Sequence, residues 1–492
     1  NGGSEVYVYY VSGDDNLLTS NQVGSSNYNY GSADVYGIYV SGGNNTLSSN
    51  SNSNGIYDDN GQSLYGTYIS GDENVITDDT ATSLSSSGAV YALYIGGNLN
   101  VVNGSSSDYG GHTVTSDSRA IEISGNNNSV YGIDYLDSID PSSGESSAIY
   151  VSGDYNNISR NSPDSVDHGI YIEGGVGNYV EGNSVTNGDI AGIYVNGGSY
   201  GNFIDNDVAT CPGATYEYGC IHVSTSDNNT FSGGTLESVS YDAITVAGGD
   251  GNNFTSITVN DATSDGVYLS SGANDNLFSG LSLSSVNSKG FNVASSSGNG
   301  FLDNSISSSG YNYYFSSSLP GQYNFTGNSL EFVTSDGGIK FLNTSLVASG
   351  ANLSAVISVS SNDAFVNSTL DAGFNQSANI TLEGISVSEL QLIVDYDDDG
   401  SYEDCPASVC TNLSYVGNTV IFNVSHFTAF ATQESNAAPN NPVVVFGSSG
   451  VENISSEDLK CNTTITDPDG DALNVSVRWY LNDSLNLTVN YS

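Results

Sequence analysis

Short segments in which apolar and polar residues alternate recur about every 25 residues through roughly the first three hundred residues. Ile38-Tyr39-Val40 and Ile149-Tyr150-Val151 are two examples, and a Gly-rich turn, an Asn and a second β-rich stretch follow each. Alternation with period two predicts a strand with one buried face, and a fixed repeat predicts a solenoid. Since no window shows helical periodicity, we expect an all-β chain with a parallel β-helix of about twelve coils over residues 1–328.

The Asn that follows each turn predicts a structural ladder. An inward Asn at a coil corner can bond to the Asn of the next coil and to turn backbone. The expected ladder is Asn16, Asn45, Asn74, Asn100, Asn128, Asn156, Asn178, Asn202, Asn229, Asn252, Asn276 and Asn299.

The repeat with its Asn resembles the right-handed parallel β-helix repeats of NosD-like and carbohydrate-binding or sugar-hydrolase-type proteins. Large archaeal cell-surface proteins carry many such repeats. The resemblance covers about residues 5–325. It implies the fold and a cell-surface location, whereas the same fold serves lyases, adhesins and scaffolds alike.

The chain changes character after the repeat. Longer alternating runs over residues 329–434, such as Leu390-Gln391-Leu392-Ile393-Val394, predict an antiparallel β-sandwich. A polar, Pro-containing linker is expected at 435–442. Residues 443–492 resemble the start of an Ig-like or cadherin-like module, which implies that Cys461 pairs with a later Cys beside Trp479.

Composition narrows the class of protein. There are 6 Lys and Arg against 54 Asp and Glu, a formal net charge of -48. Nucleic acid and anionic membrane surfaces are excluded as partners, because both need clustered basic residues. No apolar run is long enough for a transmembrane helix. With its many Ser, Thr, Asn and Tyr residues, the chain resembles secreted archaeal surface proteins, and we expect it outside the cell.

Asn-x-Ser/Thr acceptors and paired cysteines agree with an extracellular location. Cys211 with Cys220, and Cys405 with Cys410, are expected to close short loops as disulfides, the alternative being a metal site or free thiols. N-linked glycans are expected at Asn44, Asn103, Asn127, Asn157, Asn228, Asn253, Asn324, Asn343, Asn352, Asn367, Asn375, Asn379, Asn412, Asn423, Asn453, Asn462, Asn474, Asn482, Asn486 and Asn490.

One motif predicts a structural Ca²⁺ site. The loop that begins at Asp395 matches a D-x-D-x-D-G pattern, in which alternate carboxylates converge and Gly permits the sharp turn. The expected ligands are Asp395, Asp397, Asp399, the Ser401 carbonyl and Glu403. The bidentate Glu of an EF-hand is missing, so a solvated acidic hairpin is the alternative. A weaker second candidate consists of Asp467, Asp469 and Asp471.

The sequence shows no complete catalytic constellation. Arg119 and Arg160 lie in coil regions, as does Lys289, and Asp167-His168 resembles part of a hydrolase Asp/His cluster. No second motif completes such a site, so the chain is expected not to be an enzyme.

Tyrosine recurs between the two inward residues of the repeated strand. Stacked coils would line these side chains along one exterior face: Tyr39, Tyr68, Tyr94, Tyr150, Tyr171, Tyr194 and Tyr268. One interpretation is β propensity with ring-on-ring stacking, and the other is an interface for a second subunit or for sugar rings.

These observations predict a structural extracellular protein. The chain would be a self-assembling, N-glycosylated subunit of an archaeal surface layer or cell-surface filament, with the β-helix as rigid spacer and copies of itself as partners. The alternative is a carbohydrate-binding adhesin, or a polysaccharide lyase or hydrolase that uses the β-helix groove.

Overall fold

The computed structural model describes residues 5–24, 27–29, 33–53, 56–58, 61–104, 108–110, 113–114, 116–137, 144–205, 207–213, 218–308, 310–344, 346–397, 399–436, 438–450, 458–468, 470 and 472–491. Asn453, Asp469 and Asp471, which belong to predicted sites, lie outside these ranges. Strands dominate the described residues, with two 3-10 turns at Leu353–Ala355 and Ala372–Phe374, which confirms the all-β class. Within the same ranges, no helix has the length and apolar character to cross a membrane.

The β-helix has three faces, and sheet 1 is the face that carries the repeated tyrosines. Its strands pair in parallel and in register, so that Tyr39 lies beside Tyr68 on the next coil. Sheet 1 consists of Val6–Val11, Val35–Val40, Leu64–Ile69, Val90–Ile95, Ser118–Ile123, Ser146–Val151, Pro163–Glu173, Ser184–Asn196, Ile221–Ser224, Ile244–Ala247, Val267–Ser270, Phe291–Ala294, Tyr313–Ser316 and Leu330–Thr334.

Sheets 2 and 3 follow the first and second turns of each coil. Sheet 2 consists of Leu17–Thr19, Thr46–Ser48, Val75–Thr77, Val101–Asn103, Ser129–Tyr131, Asn157–Ser159, Tyr179–Glu181, Phe203–Asp205, Thr230–Ser232, Asn253–Thr255, Leu277–Ser279, Gly300–Leu302, Gln322–Asn324 and the antiparallel Ser349–Ala351. Sheet 3 consists of Gln22–Val23, Ser51–Ser53, Thr80–Thr82, Asp108–Gly110, Tyr135–Asp137, Val208–Thr210, Thr235–Val239, Thr258–Ala262, Ser282–Val286 and Ser305–Ser308. Four short strands form an accessory sheet: Asn27–Asn29, Ile56–Asp58, Ser85–Ser86 and Thr113–Val114.

Two long strands depart from the three-turn coil. Pro163–Glu173 and Ser184–Asn196 pair with sheet 3 through their first residues and with sheet 1 through their last. In these coils the chain passes from sheet 3 to sheet 1 without leaving β structure. The transition places His168 at the start of the sheet 1 portion.

The predicted Asn ladder is confirmed. Each ladder Asn donates its backbone N–H to the Oδ1 of the next, at 2.8–3.0 Å from Asn16 to Asn299. From Asn45 onwards the ladder side chains are buried. The ladder supplies a partner to backbone groups that the turn would otherwise leave unpaired in the interior.

Sheet 1 continues beyond the β-helix. Leu330–Thr334 turns back into Gly337–Phe341, and antiparallel strands follow in the order Ala378–Leu382, Thr419–Val424 and Cys410–Val416. A separate five-stranded sheet consists of Ile357–Ser360, Asp363–Val366, Ala429–Glu434, Leu390–Asp395 and Glu403–Asp404.

These two sheets fit the sandwich-like arrangement expected of the C-terminal region. Phe374, Phe422 and Phe430 are buried in one apolar core that is continuous with that of the β-helix. Sheet 1 crosses residue 328, the predicted end of the β-helix domain, without interruption. The predicted domain limits stay predictions. Two hairpins follow: Val443–Ser448 with Leu459–Thr464, and Val475–Leu481 with Ser484–Tyr491.

Candidate functional site

Two columns of stacked tyrosines lie on the outer surface of the first four strands of sheet 1. The inner column is Tyr7, Tyr36, Tyr65 and Tyr91, and the outer column is Tyr10, Tyr39, Tyr68 and Tyr94. Adjacent ring centroids are 4.9–5.1 Å apart in the inner column and 4.6–5.3 Å apart in the outer. Because ring faces cover one another, mainly ring edges and hydroxyls face outward.

The outer column contains three of the predicted tyrosines, whereas the inner column was not predicted. Strict alternation would put Tyr36 and Tyr39 on opposite faces of the strand. Instead Gly37 and Ile38 are both buried between them, which returns Tyr39 to the outside. A Cβ at Gly37 would lie 2.5 Å from the Gly66 carbonyl oxygen, so the close approach of the next strand favours a small residue at this position, which is Ala92 two strands later.

The remaining predicted tyrosines differ in their surroundings. Tyr150, Tyr171 and Tyr194 are only 7–8% exposed, and Tyr171 and Tyr194 stack at 4.6 Å. Tyr268 lies in register between Thr245 and Asn292, away from the columns. A role for these tyrosines as an interface stays a prediction.

Charged side chains interrupt the columns in the middle of sheet 1. Glu122 occupies the outer-column position on the strand after Tyr94, and Tyr150 occupies it on the next strand. Arg119 forms an ion pair with Glu122, and its guanidinium carbon lies 3.6 Å from the centroid of the Tyr150 ring. The cation therefore gains a carboxylate partner and an aromatic face in a site where it is largely withdrawn from water.

Four more acidic residues lie around Arg119 and Tyr150. The Tyr150 hydroxyl donates to Glu173 Oε2. Asp117 Oδ1 accepts the Glu145 backbone N–H at 3.3 Å, and Asp167 Oδ2 accepts the Ser146 backbone N–H at 2.8 Å. The central cluster is hereafter Asp117, Arg119, Glu122, Glu145, Tyr150, Asp167, His168 and Glu173.

Glu145 is the exposed member of the central cluster. Its side chain is 60% exposed, and its Oε2 lies 3.9 Å from Nε2 of His168, whose side chain is 1% exposed. Partial burial and the charges of Asp117 and Asp167 raise the pKa of the Glu145 carboxyl. Burial lowers the pKa of His168 to about 3, so the imidazole is neutral and forms no ion pair with Glu145 at neutral pH.

Burial also shifts the pKa values of the ionisable groups on either side of Glu145. The pKa of Glu122 is raised by burial, an effect that Arg119 opposes. Burial lowers the pKa of His222 to about 4. A solvent-facing carboxyl with a raised pKa, next to fixed carboxylates and a cation, is an arrangement that supports general acid–base chemistry.

Asp167 and His168 of the partial motif lie next to Glu145, whose pKa also responds to Asp167 and Arg119. Glu122 and Glu173 lie on strands of sheet 1, and Glu145 directly precedes the strand Ser146–Val151; none of the three was predicted as a site residue. Lys289 instead lies over the Tyr314 ring, 4.0 Å from its centroid. The signal in the sequence was Glu122, which replaces a tyrosine in the repeat.

The Asp395 loop folds around its first carboxylate. Asp395 is buried and accepts backbone N–H groups from Asp397, Asp399 and Gly400 at 2.7–3.3 Å. In the part of the chain that the structure describes, no three acidic, His or Cys side chains converge as a metal site. Calcium binding at this loop stays a prediction.

Both predicted disulfides are formed. Cys211 pairs with Cys220, and Cys405 pairs with Cys410. Cys461 is a free thiol, half-buried in the first of the two C-terminal hairpins. The alternative of a metal site or free thiols at these four cysteines is therefore wrong.

Four sequon asparagines beside the ladder are exposed: Asn44, Asn127, Asn157 and Asn228. Asn253 is half-buried. Alternation thus turns most of these acceptors outward while their ladder neighbours stay buried. Glycosylation itself stays a prediction.

A cavity of about 590 Å³ lies where the last coils meet the sandwich. Leu319, Pro320, Phe332, Ile357 and Val359 line it, together with small polar residues and backbone. Its lining carries no ionisable side chain, so it offers no acid–base chemistry to compare with the central cluster.

Comparisons with known proteins concern the fold. Residues 147–306 match the family described as right handed beta helix region. No curated protein matches the chain. A DFA-IIIase from Arthrobacter chlorophenolicus A6 is similar at 11% identity, over 56% of this chain and 84% of its own, with a TM-score of 0.32.

Two further solved structures are similar to the chain. The periplasmic alginate epimerase AlgG shares 13% identity over 60% of this chain and 75% of its own, with a TM-score of 0.29. The tailspike protein of E. coli bacteriophage HK620, solved with a pentasaccharide, shares 8% identity over 85% of each chain, with a TM-score of 0.33.

The expectation that the chain is not an enzyme is wrong. A DFA-IIIase and an epimerase, enzymes by name, are among the structures similar to it. The predicted right-handed parallel β-helix is confirmed, and archaeal origin stays a prediction. Residues 147–306 are thus similar to the right handed beta helix region family, within a right-handed β-solenoid.

Proposed function

We propose that the chain is an extracellular, saccharide-active β-helix protein whose central cluster performs acid–base chemistry on a neutral glycan. The observation that carries the proposal is Glu145, an exposed carboxyl whose pKa is raised by partial burial and the neighbouring Asp117 and Asp167. A carboxyl whose pKa lies above its ordinary value is better suited than an unshifted one to protonate a leaving glycosidic oxygen.

The neighbours of Glu145 supply the other roles. Glu173, whose Oε2 accepts the Tyr150 hydroxyl, is the carboxylate placed to act as base or to stabilise positive charge on the sugar. Arg119 and Glu122 hold Tyr150 in position through the ion pair and the ring contact. The concentration of acidic side chains and the charge of -48 disfavour an anionic polysaccharide.

The test is to incubate the protein with a panel of neutral oligosaccharides and to measure cleavage as the release of reducing ends. We expect Glu145→Gln to lower kcat by about a hundredfold, because the amide cannot donate an acidic proton. The wild-type rate should fall as pH rises through the raised pKa of Glu145. The matched control is Glu237→Gln, an exposed glutamate on sheet 3.

Either of two results would contradict this proposal. One is the absence of turnover across the panel, and the other is equal activity in the Glu145→Gln and Glu237→Gln variants. Circular dichroism of each variant establishes that a loss of rate does not come from a loss of fold.

A second candidate is a structural subunit of a cell-surface layer or filament, which the tyrosine columns favour. Their stacked rings run along the rod axis over four successive strands, and Tyr10 is 55% exposed. Such a ridge suits lateral packing against copies of the same chain. N-linked glycans at exposed sequons, and Ca²⁺ at the Asp395 loop, would then protect and stiffen the assembled rod.

Electron microscopy of the protein from its native cells, with and without a calcium chelator, tests the structural role. We expect ordered filaments or a two-dimensional lattice that chelation loosens, because Ca²⁺ would stiffen the C-terminal sheets. Dispersed single rods in both conditions would contradict this candidate and leave the saccharide-active role as it stands.

A further inference from the structure

We propose that the outer column is a site of oxidative modification, in which tyrosines of successive coils become joined as dityrosine. This inference concerns Tyr10, Tyr39, Tyr68 and Tyr94, and it is independent of the central cluster. Covalent bonds between neighbouring coils would prevent the coils from separating along the rod axis.

The geometry of the outer column brings equivalent ring carbons together. Tyr10, Tyr39, Tyr68 and Tyr94 pair in register, with neighbouring centroids at 5.3, 5.0 and 4.6 Å along the column. Their planes are inclined by only 17, 7 and 6°. Such a stack acts as a high effective concentration of one phenol beside another, and the backbone ladder maintains it.

An oxidant reaches the outer column along its whole length. Tyr10 is 55% exposed and the three rings after it are partly exposed, whereas the inner column, otherwise partly exposed, is interrupted by Tyr36, which is 6% exposed. Ser124 Oγ donates to the Tyr94 hydroxyl oxygen at 2.8 Å, and Ser70 Oγ donates to that of Tyr39 at 3.3 Å. These serines hold the phenol oxygens at the solvent edge, where a released proton passes to water.

The reaction needs a one-electron oxidant used twice, such as a haem peroxidase supplied with hydrogen peroxide. Each phenol gives one electron to the oxidant and its hydroxyl proton to water, which leaves two phenoxyl radicals. The radicals couple through the carbons ortho to oxygen, forming one C–C bond. The two ortho hydrogens then move to the oxygens, so the net loss is two electrons and two protons.

The same geometry limits the site to the first coils. Glu122 takes the next position after Tyr94, and no phenol lies there. Beyond it, Tyr150 and Tyr171 meet edge to face at 80°, so their ortho carbons are not held in parallel. Tyr171 and Tyr194 are stacked but only 7–8% exposed.

The experiment oxidises the full folded chain, at low concentration, with photo-excited tris(bipyridine)ruthenium and persulfate. The readouts are dityrosine fluorescence in the monomer fraction and mass spectrometry of linked peptides. We expect Tyr39–Tyr68 and Tyr68–Tyr94 links. Tyr68→Phe keeps the ring stack but removes two of the three adjacent phenol pairs of the outer column, so the yield of outer-column linked peptides in the monomer should fall about threefold.

The control variant is Tyr155→Phe, because Tyr155 is 61% exposed, more than any ring of the outer column. It should leave the yield of these linked peptides unchanged. Dityrosine confined to covalent dimers, an unchanged yield in Tyr68→Phe, or no dityrosine at all would each overturn the proposal. Unfolding the chain in urea before oxidation should abolish the preference for the two column links.

Discussion

Replacing Asn202 with Ala is expected to lower the free energy of unfolding by about 3–5 kcal/mol. Asn202 lies inside the ladder, where its Oδ1 accepts the backbone N–H of Asn178 at 2.8 Å and the side-chain N–H at 3.0 Å. Its Nδ2 donates to the Gly175 carbonyl and to Asn229 Oδ1, both at 2.9 Å. Truncation removes the partner of the buried Asn178 backbone N–H and breaks the bonds from Nδ2 to Gly175 and Asn229, and each buried group left unpaired costs roughly 1–3 kcal/mol.

Urea unfolding followed by circular dichroism measures this effect, with Gln322→Ala as the control. Gln322 is an exposed polar residue on sheet 2, so its truncation should change the unfolding midpoint little. Equal midpoints for the two variants would show that the ladder contributes little beyond what water can replace.

Replacing Asp207 with Asn is expected to stabilise the protein by about 4 kcal/mol at pH 8 and by little at pH 4. Asp207 ends a second ladder, in which Asn161 donates to Asn183 and Asn183 donates to Asp207 Oδ1. The carboxyl is 6% exposed, and among the described residues its Oδ2 has no hydrogen-bond partner. Burial therefore raises its pKa from 3.8 to about 7, an effect that the bonds from Asn183 only reduce.

The direction of the pH effect follows from proton binding. Between about pH 4 and pH 7 the folded chain holds a proton on Asp207 that the unfolded chain has released. Stability therefore falls as pH rises through this range, and the loss is complete above pH 7. In the same ladder, Asn183 Nδ2 donates to the Ile158 carbonyl at 3.1 Å, and an Asn at 207 would offer the corresponding donor without a charge.

Urea midpoints of the wild type and of Asp207→Asn, collected from pH 4 to pH 8, test this directly. The wild-type curve should decline with pH, and the variant curve should be flatter. Parallel curves would mean that Asp207 is ionised in the folded protein throughout. Asp79, the corresponding acid in an earlier coil, has its pKa raised by burial to about 6 and still titrates in both proteins.

Much of the fold could be predicted because every coil repeats one local pattern. Ile38 and Val40 alternate with Tyr39 as a half-buried strand requires, and Asn45 follows at the turn. Once coils stack, each such Asn meets the next, although their separation along the chain ranges from 22 to 29 residues. Cys211 and Cys220 were likewise predictable from a short loop between them.

The central cluster was not predictable in this way. Glu122, Glu145 and Glu173 belong to different coils, and their meeting depends on loop lengths that vary between coils. The strand Pro163–Glu173 also runs from sheet 3 into sheet 1 without a turn, which brings His168 beside Glu145. The inner tyrosine column could not be predicted from strict alternation, because the bend at Gly37 breaks the alternation locally.

The tyrosine columns and the central cluster occupy successive parts of sheet 1. Tyrosines close-packed against one another stiffen the first coils, and the charged central cluster follows on the next ones. The proposed acid–base site would therefore have Glu122 and Glu173 on strands that are fixed in register on both sides, with Glu145 directly before the strand Ser146–Val151. Groups on such strands are held in place more accurately than groups on a loop.

The most direct test of the central claim is a crystal structure of Glu145→Gln with the neutral oligosaccharide that the wild type cleaves fastest. We predict that the sugar lies on sheet 1, with its scissile oxygen within hydrogen-bonding distance of residue 145 and with Glu173 beside the same ring. A sugar bound on sheet 2, on sheet 3 or at the cavity lined by Phe332 would contradict the account.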